Sequence, residues 1–147
     1  MTADAAGLRR PHPPTTMTLG GLLKHVAGVE DRNTARNLTG RPIGPPWNFV
    51  DPETDPESEW RSAADDSPEE LYGLWTSTVA RSRAAMSELL ASGDVDQSSK
   101  LVLPSGESSH LRRIVLDMIE HDQRHTGHAD LLREAVDGRV GEDPPQE

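Results

Sequence analysis

Apolar residues along this chain gather into three stretches with helical spacing, separated by segments where Pro, Gly and charge interrupt the pattern. In "LGGLLKHVAGVEDRNTARNL", Leu19, Leu22, Leu23, Val26 and Val29 recur at intervals of three and four, which makes one stripe on a helix. Thr18 is placed to cap its start. Gly40, Pro42, Gly44, Pro45 and Pro46 in "TGRPIGPPW" stop it. His25 sits beside the stripe. The second stretch, "SPEELYGLWTSTVARSRAAMSELLASG", has the clearest boundaries: Ser67 caps it, Pro68 suits its first turn, Glu70 completes a capping box and Gly93 ends it. Leu71, Leu74, Trp75, Val79, Met86, Leu89 and Leu90 are its expected buried side. The third helix is expected from near Ser109 to about Val136, before the stop at Asp137-Gly138. Leu111, Ile114, Val115, Met118 and Leu132 form its stripe.

The intervening segments read differently. Residues 1–17 are expected to be a flexible tail, because Pro11, Pro13 and Pro14 oppose a helix and little there is apolar. Residues 40–66 form a long, acidic, Pro-rich connection, a length usual for a functional or a disordered loop. Trp47, Phe49 and Trp60 are expected to tack it onto the core. "KLVLP" should be briefly extended, and residues 139–147 should be a disordered tail. The fold class is therefore all-α, one helical bundle over residues 18–138, with three helices of useful length where antiparallel bundles commonly have four.

Composition narrows the chemistry. With only 3% aromatic and 33% hydrophobic residues, the core must be small and mostly aliphatic. A net charge of −10 argues against nucleic acid or an anionic membrane as the partner. No apolar run reaches the roughly 18 residues of a membrane span, and the N-terminus lacks a signal peptide's apolar stretch, so the expected location is the cytoplasm. Cysteine is absent, so a metal would have to be held by His, Asp or Glu, and thiol chemistry would need a thiol from outside.

Three of the six histidines crowd "MIEHDQRHTGHAD". At about 100° per residue, His121, His125 and His128 fall within roughly 60° of arc, continuing the stripe of Leu111, Ile114 and Met118. His121 and His125 lie one turn apart, about 6 Å between side-chain bases, so both rings can converge on one ion. The run H-D-Q-R-H lacks the internal Glu of a zinc protease motif. Taken alone the spacing also fits polar residues at a helix edge. The inward-facing His25 on another helix strengthens a shared metal, since clustered buried histidines need a bond or a ligand. His128 lies about 10 Å along the axis from His121, which suits a supporting, a substrate-facing or a simply exposed place, although His125 with His128 is also a pair. His12 and His110 read as solvated, and Glu30, Asp31 and Asp122 as surface acids able to serve as bases.

"MTLGGLLKHVAGVE" together with "MIEHDQRHTGHADLLREAVDG" resembles the DinB-like superfamily, in its actinobacterial branch of mini-circle or mycothiol transferase-like proteins, over about Arg9 to Gly138. The resemblance implies a four-helix bundle in which three histidines bind a divalent metal. Carried over, the ligands are His25, His121 and His125, with Gly127 completing H-x-x-x-H-x-G. The branch often has an acidic residue at the place of His121, and His128 receives no ligand role. "DRNTA" stands where many relatives carry an aromatic pair. The family's first helix finds no counterpart in the eight residues before Arg9, so the bundle is expected to lack it, to borrow it from a partner chain as a homodimer, or to reflect an internal start.

The resemblance further implies zinc, with nickel or iron(II) as alternatives, and a low-molecular-weight thiol such as mycothiol activated for S-transfer to an electrophilic small molecule. The alternative is a metal-binding stress or interaction protein without turnover.

Overall fold

The structure, a computed structural model, describes residues 4–49 and 54–140. Its helices are α1 (Ala5–Arg9), α2 (Leu19–Arg32), α3 (Ser58–Ser62), α4 (Pro68–Ser92) and α5 (Leu111–Asp137), and one hairpin, β1 (Ser98–Val102) with β2 (Ser108–His110), joins α4 to α5. The architecture is the expected all-α bundle, with α2, α4 and α5 as its long members.

The start and stop signals act as their chemistry requires. The Thr18 hydroxyl accepts from the Gly21 amide at 3.0 Å. Ser67 and Glu70 form the reciprocal capping box ahead of Pro68. After Arg32 the chain continues as a wider π-helical segment, Asn33–Thr39, in which the Asn37 amide bonds Asn33 and the Thr39 hydroxyl bonds the Ala35 carbonyl. Gly40, at φ 70°, supplies the left-handed residue that ends it.

Two apolar clusters hold the bundle. Leu8, Ala63 and Leu71 form one; Leu38, Leu111, Ile114 and Met118 form the other. On α2 His25 follows Leu19 and Leu23, which pack on the first cluster, and on α5 His121 and His125 follow Met118 of the second. In the first cluster lies a departure from the sequence reading of residues 1–17. Asp4 caps α1 by accepting from the Gly7 amide, and Leu8 is buried against Leu71, so this segment begins as packed structure. Its prolines act later: α1 ends at Arg9, before Pro11.

The buried side of α4 also differs. Leu71 is buried, but Thr78, Ser82 and Ala85 are the other buried positions, and Leu90 is exposed. Small side chains let α4 approach α2 closely, and the Thr34 hydroxyl, in the π-helical segment that follows α2, donates to Ser82 at 3.0 Å. α5 starts at Leu111 rather than Ser109, because Ser108–His110 pair with Ser98–Val102. "KLVLP" is extended in part, as its β-branched and apolar residues suggest. Trp47 is buried and Trp60 packs on α2, so the connection at 40–66 is tacked down at two of the three expected aromatics. The side chain of Phe49 and residues 141–147 lie outside the described residues.

Candidate metal centre

α2 and α5 bring three imidazoles into one cluster. His25 comes from the middle of α2, and His121 and His125 stand one turn apart on α5. Ring centroids are 5.2 Å apart for His25 and His121, 4.9 Å for His25 and His125, and 4.4 Å for His121 and His125. One ring nitrogen from each lies within 4.8 Å of the others. Among the described residues this is the one group of three or more such side chains close enough to hold a metal. His12 and His110 are exposed, as the sequence suggested, and His110 bonds the Asp96 carbonyl.

Each ring has a partner on Nδ1. His25 Nδ1 faces Glu59 Oε2 at 3.0 Å, His121 Nδ1 faces Asp122 Oδ1 at 3.3 Å, and His125 Nδ1 faces His128 Nδ1 at 3.3 Å. A carboxylate only accepts, so His25 and His121 carry their protons on Nδ1 when neutral. Their Nε2 atoms, 3.2 Å apart, then turn lone pairs toward each other. That approach is favourable with positive charge between them, either a metal ion or one extra proton shared as an N–H···N bond. Tetrahedral ligation at 2.0–2.1 Å from zinc puts two ligand nitrogens about 3.3 Å apart, so the donors fit an ion of this type.

Electrostatics sharpen the same picture. His125 is pushed down to about 4, first by burial and then by the neighbouring His121, His25 and His128, so it is neutral at ordinary pH and free to offer a lone pair. Burial alone would raise Glu59, but hydrogen bonds from His25 and Arg32 outweigh it and hold the carboxyl below its usual range. Glu30 is held above its usual range, by burial first, with Asp122 and Asp31 adding to the effect against a Ser82 hydrogen bond. Of the three acids read as surface groups, Asp31 is buried and paired with Arg81, Glu30 is half-buried, and Asp122 supports His121.

Sequence reasoning missed Glu59, and it expected Trp60 to pack on the core but not to lie on His25. Trp60 stacks on His25 with ring centroids 4.9 Å apart and planes 25° apart. Both come from α3, inside the long Pro-rich connection, where one acid among many carries no positional signal. The faint signal lies in α2. Gly20 and Gly21 serve close packing: a Cβ on Gly20 would meet the Leu8 carbonyl at 3.1 Å, and one on Gly21 would meet Trp60 at 2.8 Å. Beside the cluster, an apolar groove of about 310 Å³ runs from Leu8 past Leu22, Val26 and Trp75 to His125 and Arg133.

Fold and site together define a small helical-bundle protein built around a histidine cluster able to hold a metal ion. The family described as mycothiol-S-transferase matches residues 3–138, and the chain belongs to that DinB-like family. The match includes the segment of α1. No curated protein and no solved structure matches the chain significantly. No helix among the described residues is long and apolar enough to cross a membrane.

Proposed function

We propose that this protein is a metal-dependent thiol S-transferase in which His25, His121 and His125 hold one divalent ion, zinc by donor type. Nickel and iron(II) are the alternatives. The observation that carries the reading is the 3.2 Å approach of two Nε2 atoms whose Nδ1 partners are carboxylates. When bound, such an ion lowers the pKa of a ligating thiol and makes a nucleophile available near neutral pH. Three protein nitrogens leave one tetrahedral position for it. The thiol is mycothiol or a similar small thiol, as the family's description implies; a chain without cysteine offers no competing thiol of its own.

The protein's residues bind and orient. The apolar groove ending at His125 holds the body of an electrophilic small molecule, and Glu30, within electrostatic reach of His121, is a carboxylate able to take up the thiol proton. As the sulfur–carbon bond forms, the electrophile's leaving group, such as halide, departs with the bonding pair. This reading places the protein in the cytoplasm, where small thiols stay reduced.

Metal content of the purified protein, beside the His121→Ala/His125→Ala double variant, tests it. About one equivalent in the parent and almost none in the variant is expected. Metal-dependent consumption of mycothiol with an activated aryl halide should follow. No metal after incubation with zinc, nickel or iron(II) would overturn the reading. One observation favours a second reading, a metal-binding interaction protein without turnover: Leu116, Ile119 and Leu131 are 55%, 51% and 62% exposed on α5. It predicts bound metal, no thiol consumption, and a solution mass above that of one chain.

A further inference from the structure

Gly21, His25, Gly28 and Arg32 are spaced by four, three and four residues and so share one face of α2. α3 lies across that face at close range. A Cβ on Gly21 would meet Trp60 Cε3 at 2.8 Å, and one on Gly28 would meet Glu59 Oε1 at 2.5 Å. The two absent side chains form a seat, and His25 stands between them. Trp60 covers one face of its ring, while Glu59 Oε2 meets its Nδ1 at 3.0 Å. The Arg32 guanidinium bonds both oxygens of the same carboxylate, through Nη1 to Oε1 and Nη2 to Oε2. Glu59 is only 12% exposed, and the paired Arg32 guanidinium offsets that burial, keeping the carboxylate ionised and fixed in direction.

We propose that Glu59 is a positioning residue, which fixes His25 as the Nδ1–H tautomer and aims its Nε2 at His121 and His125, with Arg32 and the two glycines holding Glu59 in place. The ligand role of His25 rests on the metal-centre reading above; its tautomer does not. The Glu59–Arg32 pair also helps to dock α3, but α3 has other anchors, since Trp60 packs on Gly21 and Lys24 pairs with Asp66 just beyond α3. The carboxylate's distinct contribution is direction. A partner on the far nitrogen sets both the orientation and the basicity of a metal-binding imidazole.

Two measurements on the full chain test this. Long-range proton–nitrogen NMR of the metal-free protein reads the tautomer of His25, and a chelator competition reads zinc affinity. The parent should show Nδ1–H. Glu59→Ala should give a mixture of tautomers and bind zinc about 10–100-fold more weakly. Glu59→Gln keeps an acceptor oxygen and should retain the tautomer with a smaller loss. Arg32→Met should retain the tautomer too, since Glu59 still faces the ring. A parent His25 protonated at Nε2 would overturn the proposal whatever the variants do, as would a folded Glu59→Ala protein with the parent's tautomer and affinity. A parent that binds no zinc, but whose Nδ1–H tautomer depends on Glu59, would remove the metal reading and leave the positioning role standing.

Discussion

α5 and α3 support the histidine cluster in opposite ways. On α5, local spacing does everything: His121, His125 and His128 stand on successive turns, Asp122 is the next residue to His121, and His128 meets His125 three residues on. On the other side, His25 depends on a five-residue helix, delivered by a long connection, whose Glu59 is 34 residues away. A helix can gather ligands cheaply because its geometry is fixed by backbone hydrogen bonds. A strap must be anchored side chain by side chain, and here Arg32, two glycines and Trp60 supply the anchors.

The largest way to break this comparison is to remove the proposed ligand on the strap side. His25→Ala should leave almost no bound metal by elemental analysis, although α2 still packs through Leu22 and Ala27 and the melting transition survives. His128→Ala, on the α5 side, removes only the partner of His125 Nδ1 and should weaken zinc binding roughly 10-fold in a chelator competition. Equal losses from both changes would mean that His128 is itself a ligand.

The same contrast explains what was legible in the sequence. The three long helices, the caps at Thr18 and Ser67, and the pairing of His121 with His125 follow from period and spacing, which are local properties, whereas the joining of His25 to that pair was implied by the family resemblance. α1 was missed because Leu8 is a lone apolar residue, buried by a tertiary contact with Leu71 that no window of sequence contains. The buried side of α4 was read in part. Leu71, Met86 and Leu89 do face the core, but the most buried other positions are the small Thr78, Ser82 and Ala85, and Leu90 is exposed. Glu59 was unreadable because its meaning comes from Arg32 and His25, both distant in sequence.

Two glycines sharpen the comparison at smaller scale. Gly127→Ala on α5 meets nothing within 4 Å and should stabilise the protein by about 0.5–1 kcal/mol in urea unfolding, through helix propensity alone. Gly28→Ala gains the same propensity but drives a methyl group into Glu59 Oε1. That oxygen could move aside only by releasing Arg32 and His25. Overpacking of this kind costs about 1–3 kcal/mol, so a net loss is expected. Zinc affinity should fall with it, about 10-fold, as for an altered supporting residue. A Gly28→Ala protein that is more stable and binds zinc normally would show that α3 is not seated on α2 as described.

The smallest expected effect is in acid, and it separates the two sides by pH. In the unfolded chain a histidine titrates near 6.5, whereas folded His125 is held at about 4. Between those values the unfolded state takes up a proton that the folded state refuses, so the metal-free protein loses stability as pH falls from about 6.5 to about 4. Glu59 acts lower. Its carboxyl is held below the ordinary range, so its contribution is full above about 4.3 and disappears as pH falls through the depressed folded value. Glu30, held above the usual range, is protonated first in the folded state and offsets part of the loss at the start of its titration. Differences from the parent isolate each group. In melting temperature against pH, His125→Gln should flatten the limb between about 6.5 and 4, and Glu59→Gln the limb below it. Because His125 is only half-buried, water screens its neighbours and the upper limb should amount to a few degrees. A parent whose melting temperature is level between pH 6.5 and 4, and parallel to that of His125→Gln, would show that the imidazoles of α5 are not crowded enough to exclude a proton, and with it the argument that a metal is what brings them together.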